Sequence, residues 1–398
     1  TQDVYNASVM RLAKEGVSCG IFLLMSASGF GISEIPSKLA DYIQSVFALE
    51  MGDKFKYGEI LRVSRTEVLP EAGVKGRGLA VVNGEILEFQ TALAVKAEDD
   101  FERGSRLADI SRELGRTWKG ERAQRLPEIP ENPEFAGFIR ERAVEKLLKD
   151  QRYVTVGYRK EDASIYSIDL QRTYTYLISG KNDTGKMNVL KLILLLGARK
   201  GAQLVTVENG GGELKELTEH YQGRYISTQE ELFAYFRDLL PEFKRRNQLK
   251  QKYLAEGLAE EEVFARMQQE PMIFICVSNL SGYLSDVYRP LPDGASMQGF
   301  VENISEKGKC HNIYFFGCIR SEEEGEQMGR KVFRCFADHG TGIHLGGNLS
   351  SQKVFNFSNI SFIQQSKAVK PGSGLVPSEE DSAAAETVIL PLVRRNDL

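Results

Sequence analysis

No apolar run in the 398 residues approaches the roughly 20 that a bilayer-spanning helix requires, so any membrane attachment is expected to lie outside this sequence. A signal-peptide pattern is also missing and residue 1 is threonine, which suggests a fragment of something longer rather than a processed product. Excess basic charge is missing too. With 51 Lys and Arg against 55 Asp and Glu, the net charge is -4, which argues against a surface dominated by a basic nucleic-acid groove and leaves only a local patch open. Cysteine is scarce and odd in number: Cys19, Cys276, Cys310, Cys318 and Cys335 show no C-x-x-C spacing. Most sit in or beside apolar, strand-like runs and are predicted to be reduced core residues of a cytosolic protein. His220, His311, His339 and His344 have no zinc-binding spacing and are expected to be structural.

What is present is the composition of a globular protein, 42% hydrophobic and 27% charged, with length for one large or two medium domains. Residues 4–15 have helical character. The run Gly20–Met25 is continuously apolar and predicts a buried parallel strand, ended by the small residues Ser26 to Gly29. Residues 45–49 and 78–82 predict strands, and Asn83-Gly84 predicts a hairpin turn into a strand at 86–90. A charged, helix-prone stretch at 96–119 is followed by a proline-stiffened connector, Leu126 to Pro133. These features divide the chain into residues 1–100, a connector at 101–133, and a second block at 134–398.

The second block alternates strands and helices. Strands are predicted at 153–157, 165–170, 174–179, 204–207, 272–277 and 312–316. Helices are predicted after residue 186, over most of 228–268 and at 296–307. This rhythm implies a largely parallel sheet with helices on both faces. Two short similarities suggest an internal repeat: residues 15–22 resemble 307–314, and 74–79 resemble 369–375, in the same order and at nearly the same offset. Transferred by that offset, a counterpart of the glycine loop described next would precede residue 1.

That loop is Gly180-Lys181-Asn182-Asp183-Thr184-Gly185-Lys186-Met187, placed between an apolar strand and an apolar helix. In the pattern G-x-x-x-x-G-K-[ST], backbone N–H groups cradle phosphates, the lysine reaches the β and γ phosphates, and the hydroxyl binds Mg²⁺. Gly180, Gly185 and Lys186 meet the anion-binding part, the alternative being a plain glycine turn. Met187 offers no oxygen to a hard cation. The other requirement is a carboxylate at the tip of a neighbouring apolar strand. The strand at 272–277 ends instead in Ser278-Asn279, so both usual Mg²⁺ ligands are missing. Hydrolysis is therefore expected to be slow or nil, ATP a weak ligand, Mg²⁺ doubtful, and Asp183 a further source of repulsion. Glu208, at the end of the strand at 204–207, is either a replacement carboxylate or a surface glutamate beside the turn at 209–212.

These residues resemble the C-terminal part of an EssC/EccC-type ATPase of the type VII secretion system, in the FtsK/SpoIIIE family. The likeness rests on Gly76-Arg77-Gly78-Leu79 followed by Leu87-Glu88-Phe89-Gln90, the connector from Trp118-Lys119-Gly120 through Ile129-Pro130, and the strand, loop and helix at 174–196. It implies an α/β, RecA-like P-loop fold, a mostly parallel central sheet flanked by helices, with part of a second module at the N-terminus. It also implies the cytoplasmic portion of a membrane-anchored motor whose last, degenerate module docks small helical WXG-type or LXG substrates through an export signal. Partners would include other modules of the same chain and membrane components of the secretion system, in an oligomer when full length. Two other readings stay open: an active nucleoside triphosphatase using Glu208 or a partner's acid, and a DNA translocase.

Overall fold

The computed structural model describes residues 2–28, 35, 37–64, 66–121, 127–346, 349, 352–357, 360, 371–378 and 384–397. The chain forms two compact units, Thr1–Gln124 and Arg125–Leu398.

The first unit contains α1 (Gln2–Glu15), α2 (Ser37–Ala40), β1 (Phe47–Leu49), α3 (Lys56–Leu61), β2 (Arg77–Val82), β3 (Glu85–Gln90) and α4 (Asp100–Thr117). The strands form one antiparallel sheet in the order β1-β2-β3. Asn83 and Gly84 have φ of 52° and 85°, the left-handed pair that a tight hairpin needs, and they join β2 to β3 as the dipeptide predicts. The core is small: Leu79 is fully buried against Ala48, Tyr57, Ile60 and Leu61. Asp99 caps α4 by accepting from the Glu102 N–H at 2.7 Å, yet no residue of that helix is buried.

Gly20–Met25 departs from expectation. It forms no strand and its side chains face solvent, with Phe22 79% exposed. Apolar character favours a buried strand only where a sheet offers an edge, and none of the described strands pairs with this run. Cys19, beside it, is exposed rather than in the core. The two stretches proposed as repeats lie in the following local structures. Residues 74–79 lead into β2, and Ser373–Pro377, within the second similarity, is the first strand of another antiparallel pair. Val369 and Lys370 lie outside the described residues, and the counterpart of the strand beginning at Ile313 is the unpaired run at residue 20.

The second unit opens with α5 (Phe135–Phe138), α6 (Arg142–Leu148), β4 (Tyr153–Arg159), β5 (Ile165–Asp169) and β6 (Thr175–Gly180). Next come α7 (Lys186–Arg199), β7 (Gln203–Val207), α8 (Lys215–His220), β8 (Arg224–Ile226), α9 (Gln229–Ala255), α10 (Glu260–Met267) and β9 (Ile273–Val277). The remainder is α11 (Leu280–Tyr288), α12 (Gln298–Lys307), β10 (Ile313–Arg320), α13 (Glu324–Gln327), α14 (Lys331–His339), β11 (Gly342–Leu345), β12 (Ser373–Pro377) and β13 (Ala385–Ile389). The ten strands make one sheet in the order β5-β4-β13-β12-β11-β6-β10-β9-β7-β8. From β11 through β8 every pairing is parallel; from β11 to β5 every pairing is antiparallel. This is the mostly parallel, helix-flanked P-loop sheet that the sequence predicts.

Alternation along each strand sends side chains to two cores. Tyr176 and Ile178 of β6 pack with the α7 residues Val189, Leu190 and Leu192 through Leu196, all essentially without solvent exposure. Leu177, from the same strand, joins residues of α9, α11, α12 and α14 on the other face. Helix α7 is apolar nearly all round because β4, β6 and β9 as well as α8 pack around it.

Two placements differ from the sequence reading. The acid-bearing position, expected on a strand next to the loop strand, lies on β9, and β10 intervenes between β9 and β6. Strand β10 also runs on to Arg320 rather than ending at Phe316, because Gly317 sits in the parallel ladder opposite Leu177 and Val277.

Candidate functional site

Three strand ends meet at the glycine loop. Gly180 closes β6, with Arg320 of β10 and Leu345 of β11 as its register partners. The approach of β11 is so close that a Cβ at Gly180 would lie 2.1 Å from the Leu345 carbonyl oxygen, so only glycine fits. Gly185, at φ 101°, supplies the left-handed turn that aims the chain into α7. Thr184 Oγ1 donates to the Lys181 carbonyl at 2.8 Å and tightens the loop between them. The strand–loop–helix frame that turns backbone N–H groups toward a phosphate is thus present.

A cleft of about 680 Å³ opens beside the loop, lined by Asn182, Asp183, Gly185, Lys186 and Met187. Gly180, Lys181 and Thr184 shape the loop and do not line the cleft. The opposite wall is Glu213, Ser278, Asn279, Cys318, Ile319, Arg320 and Glu323. Lys186 is turned back on the loop: Nζ donates to the Gly180 carbonyl at 3.0 Å and to that of Lys181. Burial lowers its pKa, opposed by the nearby Cys318, Glu322 and Asp183.

At the two positions where the phosphate-loop pattern places its magnesium ligands, the side chains are Met187 and Asn279. Met187 is half-buried against the apolar core around α7. The Asn279 side-chain oxygen accepts from the Gly282 N–H at 3.1 Å and caps α11. Glu208 answers neither sequence expectation. It is 2% exposed, so it is no surface residue. Its carboxylate accepts from the N–H groups of Glu213 and Leu214, each at 3.2 Å, and from the Tyr225 hydroxyl at 3.1 Å. Those three donors commit it to tying the turn before α8 to β8, outside the cleft lining.

The sequence reading passed over Arg320 and Glu323. The two form an ion pair, and Ser281 Oγ donates to the second Glu323 oxygen at 2.7 Å. Burial works against the carboxylate's charge, but Arg320, Ser281 and Lys186 together hold its pKa below the ordinary value. The signal available was an uninterrupted apolar run, 313–319, ending in Arg320 and leading into Glu322, Glu323 and Glu324.

Beneath the loop lies a polar floor. Ser179, His344 and Glu324 are all fully buried. Ser179 Oγ donates to Glu324 Oε1, the Lys353 N–H reaches Glu324 Oε2 at 2.6 Å, and His344 Nδ1 lies 3.5 Å from Ser179 Oγ. Burial, then the charge of Lys186, pushes the His344 pKa down to about 4, while burial raises that of Glu324. Among the described residues there is no group of three or more His, Cys, Asp or Glu poised to hold a metal, and no helix is long and apolar enough to cross a membrane.

No family model matches the chain. In sequence it is similar to the ESX secretion system protein YukB of Bacillus subtilis (strain 168), 23% identical over 265 residues, which is 65% of this chain and 17% of that protein. The chain therefore corresponds to a minor part of that relative's length. In fold it is similar to EssC (ATPases 2 and 3) from Geobacillus thermodenitrificans, with a TM-score of 0.66 at 17% identity over 98% of this chain and 68% of that one. It is also similar to Thermomonospora curvata EccC (ATPases 2 and 3) in complex with a signal sequence peptide, with a TM-score of 0.52 at 15% identity over 97% of this chain and 64% of that one. The resemblance to EssC/EccC-type ATPases of type VII secretion is thus carried by sequence and by fold.

Proposed function

We propose that this chain is a module of a membrane-anchored type VII secretion ATPase, one that docks export substrates and couples or restrains neighbouring ATPase modules through a degenerate nucleotide site. One observation carries the reading: the phosphate-loop frame is intact from Gly180 to Lys186, while the positions that would hold a magnesium ion carry Met187 and a helix-capping Asn279. A frame retained without its metal ligands suits a site kept for shape rather than turnover. In this reading ATP is a weak ligand and Mg²⁺ adds nothing to its binding.

The docking role is supported by the likeness in fold to the EccC protein solved with a signal sequence peptide. The substrates would be small helical WXG-type or LXG proteins, recognised through their export signal. Neighbouring modules of the same chain and the membrane components of the secretion system would be the other partners, in an oligomer on the cytoplasmic side. Nucleic acid has no part in it, in keeping with the net charge of -4. The large apolar residues of 189–196 and 231–239 lie mostly in the core, which supports placing the docking surface elsewhere.

The test is a titration of cognate C-terminal signal peptides against the chain, alongside a Mg²⁺·ATP turnover assay. Saturable peptide binding that does not require nucleotide is expected, with no turnover sensitive to Lys186→Ala. Turnover abolished by that substitution would instead identify an active triphosphatase, and failure of every cognate peptide to bind would remove the docking role.

A further inference from the structure

Charge in the cleft is unfavourable to a polyphosphate for a specific reason. Among its lining residues, Lys186 and Arg320 are the cations, while Asp183, Glu213 and Glu323 are the acids. Asp183 is exposed, and Glu213 is paired with Lys191 at 3.3 Å. Glu323 is different. Its side chain is 20% exposed, one oxygen is held by the Arg320 guanidinium, the other by the Ser281 hydroxyl, and the charge of Lys186 also favours its ionised form. An anion held by a guanidinium and a hydroxyl beside the loop lysine is what a phosphate oxygen would otherwise be.

We propose that Glu323 is a resident anion of the phosphate-loop cleft, and that its carboxylate charge, anchored by Ser281, excludes nucleoside polyphosphates from the loop. The inference rests on reading the cleft as a degenerate nucleotide site and adds to it a charge block independent of the missing metal ligands. Arg320 is free to move: its side chain is 54% exposed, and such an exposed ion pair contributes little to stability. The block therefore lies in the carboxylate, which Ser281 of α11 anchors and which repels the incoming phosphate at short range. With that charge removed, Arg320 and Lys186 are left to face a polyphosphate together. In the same reading the ligand admitted would be metal-free.

The experiment is calorimetric titration of the full chain with ATP, ADP and inorganic triphosphate, in chelator and without Mg²⁺. Wild type is compared with Glu323→Gln, Glu323→Gln/Arg320→Ala and Glu323→Gln/Lys186→Ala. Glutamine keeps an acceptor for Ser281 while removing the charge. Inorganic triphosphate should bind Glu323→Gln at least about tenfold more tightly than wild type, and both double variants should lose the gain. Equal affinity in wild type and Glu323→Gln, or a gain that survives the loss of Arg320, would overturn the proposal. Should the glutamine variant not fold, as judged by thermal unfolding, Glu323→Ala removes the same charge and the same comparison decides. Mg²⁺-dependent turnover by wild type would contradict the degenerate-site reading and leave this affinity comparison intact.

Discussion

Glu324 is fully buried and accepts a hydrogen bond from Ser179, the residue immediately before Gly180. Its other oxygen takes the Lys353 N–H at 2.6 Å, so a single carboxylate ties the loop strand to the segment that follows β11. Glu324→Ala removes the acceptor of the buried Ser179 hydroxyl and of the Lys353 N–H and leaves a void, and should cost about 3 kcal/mol. Glu324→Gln keeps acceptor capacity and should cost about 1 kcal/mol. Urea unfolding midpoints compare the two; equal losses would mean that packing alone, not the hydrogen bonds, sets the position.

Restoring the loop hydroxyl should not restore chemistry. Met187→Thr returns an oxygen to the first turn of α7, but the other cation ligand is still missing, since the Asn279 side chain caps α11. The variant should show no Lys186-dependent phosphate release with Mg²⁺. It should also lose about 1 kcal/mol, because Met187 packs against the apolar core. Lys186-dependent release in this variant would reveal an acid elsewhere completing the site.

His311 and His344 predict acid sensitivity. Burial comes first among the causes that push each from 6.5 to about 4, so both are neutral in the folded chain at neutral pH. His311 stacks on Phe243 at 4.6 Å, and its Nε2 lies 3.3 Å from the Asn247 side-chain oxygen. Between pH 6.5 and about 4 the unfolded chain binds more protons at these positions than the folded one. Their contribution to stability is therefore fully present above 6.5 and is lost as the pH falls toward 4. His311→Gln should flatten the stability–pH slope in this window by up to one proton's worth, measured by unfolding at stepped pH. An unchanged slope would place the histidine in a solvated, ordinary state.

The legible features were those set by local pattern. Alternating apolar runs located the parallel strands and α7, and Asn83-Gly84 located the hairpin, because turn chemistry and period are properties of neighbours in sequence. Gly20–Met25 was misread for the complementary reason: its apolarity says that it favours burial, and no described strand supplies an edge for it. The extent of β10 beyond Phe316 was not legible, because it is set by pairing with the two flanking strands, where Gly317 lies opposite Leu177 and Val277.

The sequence by itself determined the strand–loop–helix pattern and put no hydroxyl at the end of the loop and no carboxylate after the strand at 272–277, since Gly180, Gly185, Lys186, Met187 and Ser278-Asn279 carry those properties in their side-chain chemistry. Only the tertiary structure decided which charges face the loop. Arg320 and Glu323 lie far from Gly180 in sequence, and parallel pairing of β10 with β6 brings them to one strand edge. Glu208 followed the same logic in reverse: its place at a strand end left a replacement carboxylate open, and three hydrogen bonds, two from the turn before α8 and one from Tyr225 of β8, give it a structural role. A carboxylate's role is fixed by the donors that surround it, and those donors are neighbours in space.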